Sequence, residues 1–303
     1  MPFDPRQPFT RADALAAGLS DNALRGRGFV TLLRGVYVSA EVRVGAWERA
    51  AAALRAVGES ACVTGLTAVH VLGLPAPAPP EAAEVAVPTA AERRRRAGLH
   101  VRVAPGPTIR HRGLRLRHPA SLFVELAGRL TLVDLVVLGD AMVRKGLVTC
   151  ADLRHAATSG PDPSGLAGRA ADLVRERVDS PMESRLRMLL VLAGLPEPTV
   201  DHQVRRADGT IRYRFDLSYP VLKVAIEYDG QHHRADLDRW DSDVLRHDWF
   251  TAHGWLRVDV VARGIFQRPG ETVDRVARVL VQRGWRGRPT EGWRPHFPER
   301  AAA

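Results

Sequence analysis

The sequence predicts an α/β protein, α+β in its overall arrangement, and three observations carry that prediction. Near the C-terminal third, Arg212-Tyr213-Arg214-Phe215-Asp216-Leu217-Ser218 alternates strictly between polar and apolar, and the nearly unbroken apolar run Val221 to Tyr228 follows it. These are the patterns of a half-buried strand and of a strand buried on both faces. The first forty residues read as helix, turn, helix and tight hairpin. Between these two regions, short apolar strands precede a run of helices. A length of 303 residues suits two domains or three small ones.

Thr10-Arg11-Ala12-Asp13 has the form of a capping box and opens a short helix over 12–17, which Gly18 ends. Ser20 caps a second helix over 21–27, carrying Asn22, Arg25 and Arg27, with Gly28 as its stop. Two short strands follow, 29–33 and 35–38, turning about Arg34-Gly35. This order is the outline of a winged helix-turn-helix over 1–40. Its second helix would enter a DNA major groove, with Arg34 against the backbone or the minor groove. A module that uses the same outline for protein contacts is the alternative. Residues 41–158 form a middle α+β region. Helices are expected over 46–57 and 61–72, then a proline-rich connection over 75–80 that cannot be helical. Strands over 83–87, 100–103 and 114–117 lead into helices over 121–127, 132–145 and 150–157. Thr158 to Gly165 consists almost wholly of turn formers and helix breakers, so 159–165 reads as a linker. A helix over 166–178 then opens a C-terminal domain spanning 166–285. The Pro-, Gly- and Arg-rich tail 286–303 is expected to be disordered.

A formal charge of +10 fits a polyanionic partner, because displaced counterions drive such binding. The signal is discounted by composition: 42 of the 44 basic residues are arginine, in an alanine-rich chain, as coding bias alone would produce. The densest basic run, Arg93 to Arg96, falls in a predicted loop, where a solvated turn and a phosphate contact are equal readings. Cys62 and Cys150 are too few and too far apart for a zinc site or a disulfide framework. No stretch approaches about 18 uncharged apolar residues, and no basic-then-apolar leader begins the chain. A soluble, cytoplasmic chain with no membrane partner is therefore expected.

The chemistry concentrates in the C-terminal hairpin. Asp216 lies on its first strand, and Glu227 and Asp229 share one face of its second with Lys223 and Ala225. If Ser218 pairs with Lys223, Asp216 stands opposite Ala225 and diagonal to Glu227. That diagonal is about 7–8 Å, within reach of one shared divalent cation. Acids on a strand are ordinarily a solvated face, but three neighbouring features set these apart. Gly230-Gln231-His232-His233 follows the carboxylates directly. Ser180-Pro181-Met182-Glu183 opens a helix over 183–193, closed by Gly194. Asp243-x-x-Arg246 lies on a helix that ends at Gly254 and leads into a strand over 256–261.

In this order of elements, residues 180–281 resemble the PD-(D/E)XK restriction-endonuclease-like domains, and within them the small domains related to very-short-patch-repair endonucleases. The resemblance rests on Glu183, Asp216, Glu227-x-Asp229, the Gly-x-x-His run to His233, and Asp243-x-x-Arg246 with Phe250 and Gly254. It implies a mixed central sheet and a Mg²⁺ site, with Mn²⁺ as the alternative, at Asp216, Glu227 and Asp229. Glu183 would orient the site or bind the metal through water. The departure is Asp229, where the family pattern has lysine; some members carry an acid there and use it with a second metal or as a base. Lys223, four residues or about 13 Å back along the strand from Glu227, is the substitute cation available on that face. Asp229, His232 or His233 would take the proton of the attacking water. Arg246 would face the scissile phosphate, pair with a site carboxylate, or bridge to Asp243.

The string Gly-Leu-Ser, then Leu-Arg-Gly-Val-Tyr-Val, within 10–40 resembles the N-terminal region of AbiEi-type antitoxins of bacterial toxin–antitoxin systems. Together the two resemblances imply a metal-dependent DNA endonuclease with an N-terminal DNA-binding module. Its partners would be DNA and a toxin or defence-system protein. The alternative is an antitoxin-like transcriptional regulator whose nuclease fold is an inactive binding module.

Overall fold

The computed structural model of the protein describes residues 3–230 and 237–298. Contacts divide the chain into two compact units, with the divisions between Arg129 and Leu130, Cys150 and Ala151, and Gly168 and Arg169. The architecture is mixed α/β, with three separate sheets among the described residues.

In the first unit, Thr10 makes the expected reciprocal cap. Its hydroxyl accepts the Asp13 N–H at 3.1 Å, and the Asp13 carboxylate accepts the Thr10 N–H at 2.8 Å. The cap joins β1 (Phe9–Thr10) to α1 (Arg11–Ala16). Ser20 caps α2, which covers Asp21–Arg25 and stops two residues earlier than expected, at Gly26. Arg27 therefore lies beyond the helix. β2 (Phe29–Leu33) and β3 (Val36–Ser39) form the expected hairpin, with Gly35 at φ 76° in its turn. β1 adds to the far side of β3, a strand too short for alternation to reveal. Phe9, Ala14 and Leu24 make the small core beneath.

The chain continues through α3 (Ala46–Val57), β4 (Cys62–Val63), α4 (Gly65–Val71), β5 (Ala83–Val87), β6 (Leu99–Val103), β7 (Thr108–His111), β8 (Leu114–Arg117) and α5 (Pro119–Leu126). The strands form one five-stranded sheet in the order β6-β5-β4-β8-β7. The helix expected over 61–72 is shortened from its start, because Cys62 and Val63 pair with Ala86 and Val85. Gly65, at φ 57°, makes the turn from strand to helix, and any Cβ there would overlap the Glu84 carboxylate. That carboxylate accepts the Leu66 N–H at 2.5 Å, supplying a cap from another strand.

Next come α6 (Leu132–Arg144), α7 (Cys150–Ser159), α8 (Leu166–Leu173) and α9 (Pro181–Leu192). α8 ends five residues before the expected limit. Within the second unit, α6 packs against α9 through a buried ion pair: Arg187 Nη2 meets Asp140 Oδ2 at 3.0 Å, both side chains almost fully covered. The sheet of this unit contains β9 (Thr199–Arg205), β10 (Ile211–Tyr219), β11 (Val224–Tyr228) and, after α10 (Leu237–Ala252), β12 (Leu256–Val260). Its order is β12-β11-β10-β9, and it is mixed: β11 and β12 run parallel, the other pairs antiparallel. A parallel pair needs a crossover, which α10 supplies.

α11 (Ala262–Phe266) and α12 (Pro269–Gln282) follow. The tail expected to be disordered from residue 286 is folded where described, to residue 298. Trp293 and Phe297 are buried, and the Thr290 N–H bonds to the Ala193 carbonyl at 2.7 Å. Two apolar anchors four residues apart outweigh the breaker-rich composition. Gly292 permits the approach, since a Cβ there would come within 2.7 Å of the Leu192 carbonyl oxygen.

Candidate functional site

The hairpin register differs from the expected one by two residues on β11. Pro220–Leu222 form a 3₁₀ turn and Lys223 takes a left-handed conformation at φ 52°, so the turn consumes four residues. Ser218 consequently pairs with Ala225, and Leu217 with Ile226. One step beyond that last pair come Asp216 and Glu227, which are thus brought closer than the expected diagonal. The Tyr228 N–H confirms the approach, donating to Asp216 Oδ2 at 2.9 Å. Lys223 does not share their face as expected. It sits in the turn, and its ammonium donates to the His253 carbonyl at 3.0 Å.

Glu183 enters from the first turn of α9. Ser180 Oγ accepts the Glu183 N–H at 3.1 Å, and Glu183 Oε2 accepts the Asp179 N–H at 3.0 Å, which pins the carboxylate at the helix start. Burial drives the Glu183 carboxyl up to about 7, and the nearby Asp216 charge pushes the same way. Burial also raises Asp216, opposed by the Tyr228 N–H and by Arg246. Glu227 is pushed up to about 7, again chiefly by burial, against the pull of Arg246 and Arg257. Burial thus disfavours the ionised forms of three carboxyls from one helix and two adjacent strands, and the Asp216 charge raises each of the other two.

Two guanidiniums answer part of this charge. Arg246, on α10, pairs with Glu227 Oε1 and donates to the Arg214 carbonyl at 3.1 Å, while its Cζ lies 5.6 Å from the Tyr213 ring centroid. Its Nε is buried without a partner. Of the three roles expected for Arg246, the geometry realises the carboxylate pair; the Asp243 side chain lies outside the described residues. Arg257, on β12, meets Glu227 Oε2 at 3.1 Å and Asp259 Oδ1 at 2.7 Å. A second rim of charge runs beside the cluster, where Arg214 bridges Asp201 at 2.6 Å and Asp179 at 2.7 Å.

Asp229 lies just past β11, half-buried, its N–H extending the ladder to the Val260 carbonyl at 2.9 Å. His232 and His233 lie outside the described residues. Among the described residues, no three His, Cys, Asp or Glu side chains are arranged to hold a metal ion. The oxygen-only donor set still suits a hard divalent cation at Asp216 and Glu227, and Arg246 and Arg257 stand where such a cation would compete.

Sequence reasoning missed Arg257 and Asp259. They come into register with Ala225 and Glu227 through the parallel β11–β12 pair, whose alignment depends on the crossover and leaves no local signal. It also missed Asp179, Asp201 and Arg214, each an ordinary polar residue until the fold assembles them. In the first unit, Asn22 and Arg25 are exposed on α2, three residues apart and so on one side of it. Arg27 and Arg34 are exposed in the loops that follow. Of the run Arg93 to Arg96, Arg93 and Arg96 are held by backbone carbonyls, of Val101 at 3.2 Å and Ala56 at 3.0 Å, and Arg94 and Arg95 are exposed.

No known protein family's model matches the chain. It is similar to an uncharacterised protein of Mycobacterium tuberculosis, 25% identical over 194 residues, covering 60% of this chain and 71% of that one. The same protein is named Rv2248 in strain ATCC 25618 / H37Rv and MT2308 in strain CDC 1551 / Oshkosh. Among solved structures, the crystal structure of the M. tuberculosis protein RV2827C aligns at a TM-score of 0.39 and 15% identity, covering 67% of this chain and 85% of that one. No helix among the described residues is long and apolar enough to cross a membrane.

Proposed function

We propose that the C-terminal unit is a metal-dependent endonuclease hydrolysing phosphodiester bonds in DNA, with the N-terminal helices and hairpin as a DNA-binding module. The observation that carries this reading is the convergence of Glu183, Asp216 and Glu227 at a buried place where each carboxyl is pushed upward. Such a cluster costs stability unless cations answer it. The resemblance to PD-(D/E)XK domains supplies the same three positions. Asp216 and Glu227 would hold Mg²⁺ or Mn²⁺, and a metal bound there acidifies water and stabilises the departing oxygen. Glu183, with its carboxyl near 7, can take and return a proton at neutral pH. Asp229 is the second candidate base, beside His233. Arg246 and Arg257, released from Glu227, would be free to contact phosphate. Asn22, Arg25, Arg27 and Arg34 are exposed, as contacts to a duplex require.

A second reading has its own observation. Both oxygens of Glu227 are engaged by arginines, so the site neutralises itself without a metal. In that reading the chain is an antitoxin-like regulator, partnered by a toxin or defence protein, and the nuclease-like unit is a binding module. Supercoiled and linear DNA incubated with the protein, with Mg²⁺, with Mn²⁺ and with chelator, decides between them. Metal-dependent cleavage that disappears in Asp216→Asn and Glu227→Gln supports the endonuclease. Absence of cleavage with either metal, alongside intact DNA binding, moves the assignment to the regulator.

A further inference from the structure

The first unit holds a cavity of about 820 Å³ that plays no part in the endonuclease reading. Its walls are formed by the loop after β6, by β8, by α5 and α7, and by the segment linking α7 to α8. Most of that wall is apolar, including Ala104, Pro105, Val124, Ala127 and Pro161. Two arginines and one glutamate stand together at the polar end.

The charges there do not balance. Glu125, nine-tenths buried, serves both guanidiniums: it pairs with Arg102 and lies 4.0 Å from Arg117 Nε. It is further occupied by the Thr64 hydroxyl, which donates to Oε2 at 2.6 Å, while Arg102 Nη2 in turn donates to Thr64 Oγ at 3.1 Å. Arg117 spends one Nη on the Ala104 and Pro105 carbonyls, at 2.9 and 3.0 Å. The Nε of each arginine is buried with no hydrogen-bond partner. The other nearby buried acid, Glu84, is taken by Arg129 and by the start of α4. At the opposite side of the cavity, Asp162 is committed to the Ala167 and Gly168 N–H groups, at 2.8 and 3.2 Å. A partly buried layer with two guanidiniums, one shared carboxylate and two buried, orphaned Nε donors lacks an anion. Burial and the neighbouring Arg117 charge lower Arg102 accordingly.

We infer that this cavity is a binding site for a small organic anion, whose acidic group meets Arg102 and Arg117 and whose apolar body lies against the proline- and alanine-lined wall. The volume falls within the range of small-molecule pockets, of roughly 300–1,000 Å³, and a bare inorganic anion would leave most of it empty. The mostly apolar lining with a few convergent polar groups is the usual composition of such sites.

The probe is 8-anilinonaphthalene-1-sulfonate, a sulfonate on an apolar ring system, titrated into the full-length protein with fluorescence as readout. One saturable site per chain is expected. Ser121→Trp, which places a large side chain into the cavity from a partly exposed position on α5, should abolish it without changing the circular dichroism spectrum. Arg102→Gln should weaken binding about tenfold, the value of one charge-assisted hydrogen bond, and Arg102→Lys by less. Should Arg102→Gln fail to fold, Arg102→Lys alone still requires a measurable loss. Binding unaffected by Ser121→Trp would overturn the proposal, as would the absence of a saturable site. Binding lost in Ser121→Trp but unchanged in both Arg102 variants would also overturn it, since the site would then recognise apolar bulk and not an anion.

Discussion

The two ends of one turn of α9 handle buried charge in opposite ways. Arg187 points into the contact with α6, where Asp140 accepts its guanidinium at 3.0 Å, the Ser184 hydroxyl at 2.7 Å and the Arg175 N–H at 2.8 Å. Four residues earlier, Glu183 has one backbone N–H and the helix cap for support, and its charged neighbour is another carboxylate, Asp216. Burial pushes the acids of both places upward; what differs is the answer to it. A charge met by its opposite and by hydrogen bonds fixes helices together. Like charges gathered at a strand pair, with the answering cations drawn from other elements, leave carboxyls whose ionised forms are disfavoured. The contrast separates a structural ion pair from a candidate site without appeal to any relative.

The largest effect expected from this contrast is at the structural end. Arg187→Met leaves Asp140 buried without its guanidinium and should cost about 3–5 kcal/mol in urea unfolding. Arg187→Met with Asp140→Leu should recover only part of that loss, because an apolar pair replaces both charges but deprives the Ser184 hydroxyl and the Arg175 N–H of the Asp140 acceptor. A single variant as stable as the wild type would remove the distinction drawn between the two ends of the helix.

Next comes the cation that answers the acid cluster. Arg246→Met should cost about 2 kcal/mol near neutral pH and less in acid, where Glu227 is protonated and needs no partner. A carboxyl-labelled NMR titration should place Glu227 above its present value of about 7. An unmoved Glu227 would mean that Arg257 alone sets its ionisation, and the arginine pairing at this site would have to be reassigned.

Much of this comparison was legible in the chain, and the part that was not has a physical reason. Thr10 and Ser20 announced their helices because a cap is a local device, satisfied within three residues. Glu183, Asp216 and Glu227 stood out because alternation and helix starts show where a side chain sits on its own element. The register between β10 and β11 was misjudged because Tyr219-Pro220 looked like the whole turn, whereas Lys223 closes it in a left-handed conformation that sequence does not signal for lysine. The pairing of Glu227 with Arg257 depends on chain segments about thirty residues apart, beyond any periodic pattern. Asp140, the partner of Arg187, belongs to a helix that sequence order assigns to the middle region. The tail failed for another reason: its breakers were weighed above the anchoring that Trp293 and Phe297 supply by burial.

A smaller effect lies in the pH dependence of stability. Glu183 and Glu227 have folded values near 7 against ordinary values of 4.5, so the folded state holds their protons more tightly than the unfolded chain does. Their contribution is therefore complete below about 4.5 and is lost as pH rises through 7. Glu183→Gln should flatten that decline and leave the variant about 1 kcal/mol more stable than wild type at pH 8, with little difference at pH 4. Chemical unfolding at the two pH values reads this directly. A wild type that gains stability from pH 5 to 8 in parallel with the variant would show that Glu183 is not held near neutrality.

The smallest change tests how the Glu183 carboxylate is held. Ser180 caps α9 by accepting the Glu183 N–H, and its side chain also favours the ionised form of the Glu183 carboxyl. Ser180→Ala should cost about 1 kcal/mol, the usual value of a lost cap. A cap loss by itself is independent of pH. Here the loss should be greater at pH 8 than at pH 5, since above the folded value the variant must also carry a Glu183 charge that has lost a supporting hydrogen bond. Ser180→Asn, which restores a capping acceptor, should recover the part of the loss that does not vary with pH. Equal losses at both pH values would make Ser180 a plain helix cap and leave the Asp179 N–H as the group that positions Glu183 against Asp216.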